Sequence, residues 1–369
     1  MIKRKILLNP GPATTTDTVK QAQIVPDICP REKEFGDLME SVSKDLVRIV
    51  ARETKYEAVL FGGSGTAGIE AIVSSVVPHG KKLLVLVNGA YGERMMKIAQ
   101  AYGIPSIKNC VDWGSETDLS ALEKELEADS DIATVGMVHH ETTTGILNSV
   151  EEVGRLVKKY NRVFIVDAVS SFAGVPLNAE NAGIDFLAST SNKCIQGMPG
   201  ITFVIAKKEG LEKIREFPKR NFYLSLYEQY RYFKEKHQMR FTAPVQTLYA
   251  LRQAIDEFFE EGGIEARYKR YKENWQVLVN GMKNLGFRRF KPEVPQSHIL
   301  TTFYEPENPN YDFERMHDLL YEKGFTIYPG KIKEKTFRLA NMGAINSEDI
   351  KSFLDAMNQV LEEMSLKLK

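Results

Sequence analysis

Three groups of residues in this chain have types and spacings that could do chemistry. Lys193 closes the stretch Phe186-Leu187-Ala188-Ser189-Thr190-Ser191-Asn192-Lys193. A lysine at the desolvated end of a core strand loses its proton readily and becomes a nucleophile toward a carbonyl carbon. Asp167 follows four apolar residues in Val163-Phe164-Ile165-Val166-Asp167. A carboxylate buried there needs a partner, and a protonated ring nitrogen would serve. The loop Gly62-Gly63-Ser64-Gly65-Thr66-Ala67-Gly68 follows an apolar run and opens a helical pattern. Backbone N–H groups at such a helix start favour an anion, and glycines let it approach closely. Taken singly, the lysine and the acid read equally as an ordinary ion pair at a strand end, and the loop as a tight turn with no ligand.

The loop also fits a dinucleotide fingerprint, Gly63-x-Gly65-x-x-Gly68. That fold needs an acid about 20 residues further on, to hold a ribose. The next apolar run ends at Val87-Asn88-Gly89, with no acid, and the loop lacks the Lys-Ser/Thr pair of an ATP-type phosphate loop. A nicotinamide oxidoreductase is therefore the weaker reading. Phosphate loop, acid and lysine at successive strand ends instead match the phosphate, ring nitrogen and aldehyde of pyridoxal 5'-phosphate.

The elements that must position these residues alternate. Apolar runs at 58–61, 83–87, 132–138, 163–166, 186–188 and 201–205 read as strands, with helical stretches at 66–77, 92–102 and 150–160. Near-continuous apolar strands separated by helices predict a parallel sheet covered on both faces. Beyond it, 207–243 is charged and aromatic with weak periodicity. A helical region at 245–285 breaks at Gly262-Gly263. Strands near 299–304, Phe325 and Phe337 and helices near 313–323 and 347–367 suggest a smaller α+β unit. At 369 residues the chain has room for two domains of roughly 150 residues each and a large core. Lys and Arg number 49 and Asp and Glu 49, so no global basic field is present to bind nucleic acid. No apolar run approaches the ~18 residues of a membrane span. The basic start, Lys3-Arg4-Lys5, leads into an apolar stretch that Asn9-Pro10-Gly11-Pro12 stops after three residues, too soon for a signal peptide. Cys29, Cys110 and Cys194 are few and widely spaced, with no zinc-type pair. Free thiols in a cytoplasmic protein are expected.

With these residues in view, the chain resembles the class V branch of the fold-type I pyridoxal-phosphate transaminases over nearly its whole length. The resemblance rests on Leu7-Leu8-Asn9-Pro10-Gly11-Pro12, Gly63-Ser64-Gly65-Thr66, Asn88-Gly89-Ala90-Tyr91-Gly92, Glu141-Thr142-Thr143-Thr144-Gly145, Val166-Asp167-Ala168-Val169-Ser170-Ser171 and Ser191-Asn192-Lys193. Three further phrases resemble the members that pass the amino group of 2-aminoethylphosphonate to pyruvate: Asp27-Ile28-Cys29-Pro30-Arg31-Glu32, His139-His140-Glu141 and Asn192-Lys193-Cys194-Ile195-Gln196-Gly197. Members using alanine or serine with glyoxylate share the scaffold and give the alternative. The resemblance implies an α/β fold with a mostly parallel seven-stranded sheet. It implies an arm over 1–16, a large cofactor-binding domain over 17–255 and a small α+β domain over 256–369. Lys193 would hold the cofactor's aldehyde and move the substrate proton, and Asp167 would keep the pyridine nitrogen protonated. Tyr91 would stack on the ring, Thr142 would bond the ring hydroxyl, and Ser64, Gly65 and Thr66 would hold the phosphate. Thr242 would reach the phosphate of the other subunit in a homodimer with shared sites. Arg338 would clamp the carboxylate of pyruvate or alanine, as a planar fork matched to two oxygens. By periodicity alone it reads equally as a solvent-facing strand residue.

Lesser signals have plainer readings. Arg31 and Arg240 are further candidate donors to a phosphonate. Adjacent strand residues point to opposite faces, so His139-His140 read as structural histidines rather than metal ligands. Cys194 has no His–Asp arrangement beside it, and no cysteine lies in a mobile loop after Lys193 as a desulfurase-type lyase would need. A non-catalytic binding protein would have no need of Lys193. The charges at Arg267, Lys269, Arg270, Lys272 and Glu273 read as a solvated helix face. Thr14-Thr15-Thr16-Asp17 reads as a helix N-cap.

Overall fold

Six runs of buried, mainly apolar residues and one mixed run assemble into the central sheet of the computed structural model, which describes residues 5–368. Residues 1–4, the start of the expected arm, lie outside the described residues. In spatial order the strands are Tyr56–Gly62, Ile201–Lys207, Phe186–Thr190, Val163–Asp167, Ile132–Val138, Lys82–Val87 and Ser106–Cys110. All run parallel except Ile201–Lys207, which is antiparallel to both neighbours. The seven-stranded sheet is thus mostly parallel, as the resemblance implies, and the sequence does not show that this run is the reversed one. A strand buried on both faces is apolar whatever its direction, so its composition carries no sense of direction. The seventh strand, Ser106–Cys110, has no apolar run to betray it, because it forms the sheet edge with Lys108 and Cys110 exposed.

Successive side chains of these strands go to opposite faces and so build two cores. Leu60, Leu84, Val135, Phe164, Val166 and Phe203 fill one. Val59, Phe61, Leu83, Val85, Ile165 and Val204 fill the other. Helices cover both. Gly65–Val76 and Ala90–Ala101 follow their strands directly, and Lys33–Arg48, absent from the sequence reading, packs its Phe35, Met39, Val42 and Leu46 on the first core. Gly62, Val87, Val138, Asp167 and Thr190 all mark carboxyl ends of mutually parallel strands. The loops that follow therefore gather at one edge, where ligands bind in open α/β sheets.

A three-stranded antiparallel sheet of Leu300–Tyr304, Thr336–Ala340 and Tyr328–Pro329 forms the second layer system. The helices Gly263–Asn284, Phe313–Glu322 and Ser347–Glu363 enclose its core of Phe287, Phe303, Phe337 and Phe353. The N-terminal stretch crosses from this sheet to the large one. Ile6–Leu7 pairs with Phe325–Thr326, the Ala340 N–H donates to Leu8 O at 2.7 Å, and the Ala13 N–H donates to Asn192 O at 3.0 Å. Thr16 caps the short helix Asp17–Gln21 by accepting from the Val19 N–H at 3.2 Å, as the sequence predicts.

The expected solvated face of helix Gly263–Asn284 is corrected in part. Lys269, Lys272 and Glu273 are exposed, but Arg267 is buried and Arg270 half-buried. Arg267 pairs with Glu261 at 2.5 Å and donates to Cys194 O at 2.8 Å. Arg270 pairs with Glu261 at 2.8 Å and donates to Gly343 O and Ile345 O at 2.8 and 2.7 Å. One carboxylate and several carbonyls satisfy both guanidiniums inside the fold, a device that charge counting along a helix does not reveal.

Candidate active site

Ser64 is the N-cap of helix Gly65–Val76, yet its hydroxyl bonds none of the helix's own N–H groups. The first-turn amides and the Ser64 and Thr66 hydroxyls thus form an uncapped donor set, the chemistry a phosphate needs. Gly65 brings this set against the end of the Asp167 strand. A Cβ there would stand 2.7 Å from Val169 Cγ1, and the Val169 N–H donates to Asp167 Oδ1 at 2.9 Å. Loop and acid are therefore neighbours, as expected.

Asp167 is 3% exposed. Burial pushes its carboxyl up, against the pull of Arg94 and the Val169 amide. Arg94 Nη2 lies 3.5 Å from Oδ2, and Arg94 Nη1 donates to Thr66 Oγ1 at 3.0 Å. The guanidinium also stands 4.5 Å from the centre of the Tyr91 ring, while its Nε is buried without a partner. Arg94 thus ties Thr66, Asp167 and Tyr91 together. The sequence reading misses it. Its signal is the three-residue spacing from Tyr91, which puts both on one helix face.

Tyr91 opens the helix Ala90–Ala101, and Glu141 anchors that helix start. Glu141 is fully buried and accepts from the N–H groups of Tyr91, Gly92 and Thr143 at 3.1, 3.4 and 3.2 Å, and from Thr143 Oγ1 at 2.6 Å. Burial raises its pKa against these bonds. A Cβ on Gly89 would stand 2.3 Å from Glu141 Cδ, so glycine is required where the helix begins. A carboxylate at a helix N-terminus is favourably placed, and here it fixes the start of the helix that carries Tyr91. Burial pushes the Tyr91 phenol up, but a hydrogen bond with Thr142 and the cations Lys331, Lys193 and Arg338 outweigh it and draw it below its ordinary value.

Lys193 reaches this cluster from the loop after Phe186–Thr190. Burial pulls its ammonium below the ordinary lysine range. The ammonium donates to Pro10 O of the crossing stretch. Gly11, with φ +117°, passes so close that a Cβ would stand 2.1 Å from Nζ. Only glycine permits both that backbone conformation and that approach.

Arg338 is 1% exposed, on a strand whose five residues are all buried. The solvent-facing reading is thereby removed. Its Nε donates to Pro329 O at 3.0 Å and its Nη1 to Thr142 O at 3.1 Å. No carboxylate among the described residues pairs with it, so a buried cation is left for a ligand anion to neutralise.

Thr242 is exposed, and no bond ties it to Ser64, Gly65 or Thr66 within the chain. Arg31 and Arg240 do not join the cluster. Arg31 donates to Met239 O and Arg240 O at 2.5 and 3.2 Å, and Arg240 to Phe222 O at 2.9 Å. His139 and His140 are buried. Their Nδ1 atoms lie 2.9 and 3.0 Å from the Ser171 and Ser170 hydroxyls. The Cys194 thiol lies 3.2 Å from Ser170 O, and burial raises it to about 12, far from a thiolate nucleophile.

An uncapped anion site, a buried acid, a desolvated lysine and an unneutralised arginine thus surround one tyrosine. This donor set fits pyridoxal 5'-phosphate. The Aminotransferase class-V family model matches residues 20–332. A 2-aminoethylphosphonate--pyruvate transaminase from Klebsiella pneumoniae is 41% identical over 359 residues, 96% of this chain and 97% of the relative. One from Bacillus cytotoxicus is 42% identical over 357 residues, with 96% and 97% covered. Among solved structures, an alanine--glyoxylate aminotransferase from Nostoc superimposes with TM-score 0.90 at 27% identity, covering 98% of this chain and 96% of that one.

Proposed function

The chain belongs to the class V aminotransferases, and on that premise we propose that it transfers the amino group of 2-aminoethylphosphonate to pyruvate, giving phosphonoacetaldehyde and L-alanine. The observation that carries the reading is the near-full-length likeness to relatives of that activity. The cofactor is pyridoxal 5'-phosphate, and when bound it supplies an electron-poor ring that acidifies the C–H bond beside the substrate nitrogen.

This chain's residues do the rest. Ser64, Gly65 and Thr66 bind the phosphate at the helix start. Asp167 holds a proton on the ring nitrogen, Thr142 bonds the ring hydroxyl, and Tyr91 covers the ring and excludes water. Lys193 holds the aldehyde. Its Nζ, once free, would carry the proton between the amine-bearing carbon of the substrate and the cofactor carbon. Burial lowers the Lys193 pKa, which favours the free amine over the ammonium. Arg338 anchors the phosphonate in one half-reaction and the pyruvate carboxylate in the other. Thr242 of the partner subunit reaches the phosphate in a homodimer. An exposed aromatic group beside Thr242, with Phe222 75% and Tyr223 44% exposed, supports such an interface. The three-part organisation, with an arm over 1–16, a large domain over 17–255 and a small one over 256–369, belongs to the same proposal. The free thiols of Cys29, Cys110 and Cys194 agree with a cytoplasmic setting, and no helix among the described residues is long and apolar enough to cross a membrane.

The test is the visible absorbance of the cofactor-loaded protein as 2-aminoethylphosphonate is added without keto acid. Loss of the yellow band, restored by pyruvate, is expected. A band that ignores the phosphonate but bleaches with L-alanine or L-serine and returns with glyoxylate would move the assignment to the glyoxylate-linked members.

A further inference from the structure

A second cation beside Arg338 has no assigned work. Lys331 lies at the tip between the strands Tyr328–Pro329 and Thr336–Ala340, the latter carrying Arg338. The base of this tip is pinned. The Gly330 N–H donates to Thr336 O at 2.7 Å, and a Cβ on Gly330 would stand 2.0 Å from Thr336 Oγ1. The Lys331 ammonium is held 5.4 Å from the centre of the Tyr91 ring, on the residue that Lys193 and Arg338 also face. Neither Lys331 nor Arg338 forms an ion pair with a described residue. Lys331 thus stands against the Tyr91 ring, and Lys193 and Arg338 act on the same phenol.

We propose that Lys331 is the second cation of the substrate-anion subsite and the residue that favours a phosphonate over a carboxylate. This rests on the aminophosphonate reading above. A carboxylate is planar, carries one charge and is satisfied by the fork of Arg338. A phosphonate is tetrahedral, with three oxygens and a second ionisable proton, so near neutral pH it carries more negative charge than a carboxylate. A guanidinium fork takes two of those oxygens and leaves the third, with its charge, unmet. A lysine supplies a compact point charge on a flexible stem. Lys331 is exposed, so its ammonium returns to water when the monoanion of pyruvate or alanine occupies the same place. One subsite can thus serve both half-reactions, as a second buried arginine could not without leaving a charge unmet.

Amine-free probes isolate this step, since they cannot react. Binding of ethylphosphonate and of propionate to the cofactor-loaded protein is measured by calorimetry, for the parent, Lys331→Gln and Lys331→Arg. The parent is expected to prefer ethylphosphonate. Lys331→Gln should weaken ethylphosphonate about tenfold, the scale of one lost charged hydrogen bond, and propionate by about twofold or less. Lys331→Arg should restore most of the loss. Half-reaction titrations should agree, with KM for 2-aminoethylphosphonate rising and KM for L-alanine unmoved. Equal weakening of both probes, or of neither, overturns the proposal. A parent that binds ethylphosphonate selectively through Lys331 yet fails to react with 2-aminoethylphosphonate would instead sink the assigned reaction and leave this inference standing.

Discussion

His140 stands directly before Glu141 and Thr142, and both its ring nitrogens are engaged. The Ser170 hydroxyl donates to His140 O at 3.0 Å, so it accepts from Nδ1–H at 3.0 Å, and Nε2 then accepts from the Ser297 hydroxyl at 2.7 Å. This arrangement suits a neutral imidazole. Burial holds His139 and His140 at about 4 and about 3, against about 6.5 in an unfolded chain. A neutral His140 adds no charge beside Lys193. Between these limits the unfolded chain binds protons that the folded one refuses. The stability these groups contribute is complete above about pH 6.5 and falls as pH drops toward 4 and 3, by about 1.4 kcal/mol per pH unit for each. Glu141 and Asp167 work in the opposite direction, because their folded pKa values are raised: their contribution is present at low pH and is lost as pH rises through those values. Comparing a variant with its parent cancels them. His140→Gln should shrink the drop in unfolding free energy between pH 7 and pH 5 by about 2 kcal/mol, read from urea denaturation at the two pH values. An undiminished drop would show that His140 titrates in the fold as it does in water.

The N-terminal stretch acts as an element rather than as a set of residues. It pairs with Phe325–Thr326, seats Leu8 in the small core, and lays Pro10 and Gly11 on Lys193 before joining Asn192. Its register therefore sets where the lysine amine sits relative to both sheets. Gly11→Ala would place a methyl group 2.1 Å from Nζ at a backbone φ of +117°. The stretch must lift or Lys193 must turn away, and a misplacement of this size costs about a hundredfold in turnover. The expected result is that loss in kcat with a cooperative thermal transition retained; full turnover would mean that Lys193 is positioned without the stretch. Residues whose type alone implies a task were legible in the sequence at this level. Lys193, Asp167 and the glycine loop follow apolar runs, and parallel strands send such endings to one edge. Arg94, Glu141 and Lys331 were not, since each matters through a neighbour distant in sequence: Thr66 and Asp167, the amides of Tyr91 and Gly92, and the Tyr91 ring. The strand Ser106–Cys110 escaped because an edge strand need not be apolar, and the reversed direction of Ile201–Lys207 because burial does not encode it.

One chain leaves the mouth of the glycine loop bordered by apolar surface. Phe222 and Tyr223 lie against Phe241, with ring centres 5.6 and 5.1 Å apart. Arg240 lies over Phe222 and Phe241 at 5.3 and 5.0 Å. The Tyr223 hydroxyl reaches Gly62 O at 3.5 Å, which places the group at the start of the glycine loop. Ser64 and Thr242 are both exposed. A large aromatic such as Phe222 at 75% exposure has a strong drive to be covered, roughly 1.5–3 kcal/mol for full burial of such a side chain. A second copy covering this group would close the loop mouth and could deliver its Thr242 to the phosphate, so assembly and cofactor retention should be coupled. Phe222→Asp puts a charge at the centre of that contact, outside the residues that touch the cofactor. Sedimentation equilibrium should then shift from the mass of two chains toward one, and cofactor affinity should fall about tenfold, the scale of one lost charged hydrogen bond per site. Thr242→Ala should leave the mass unchanged and weaken the cofactor alone. If the parent sediments as a single chain and still retains its cofactor, the phosphate site is complete without a partner and the shared-site assembly is wrong.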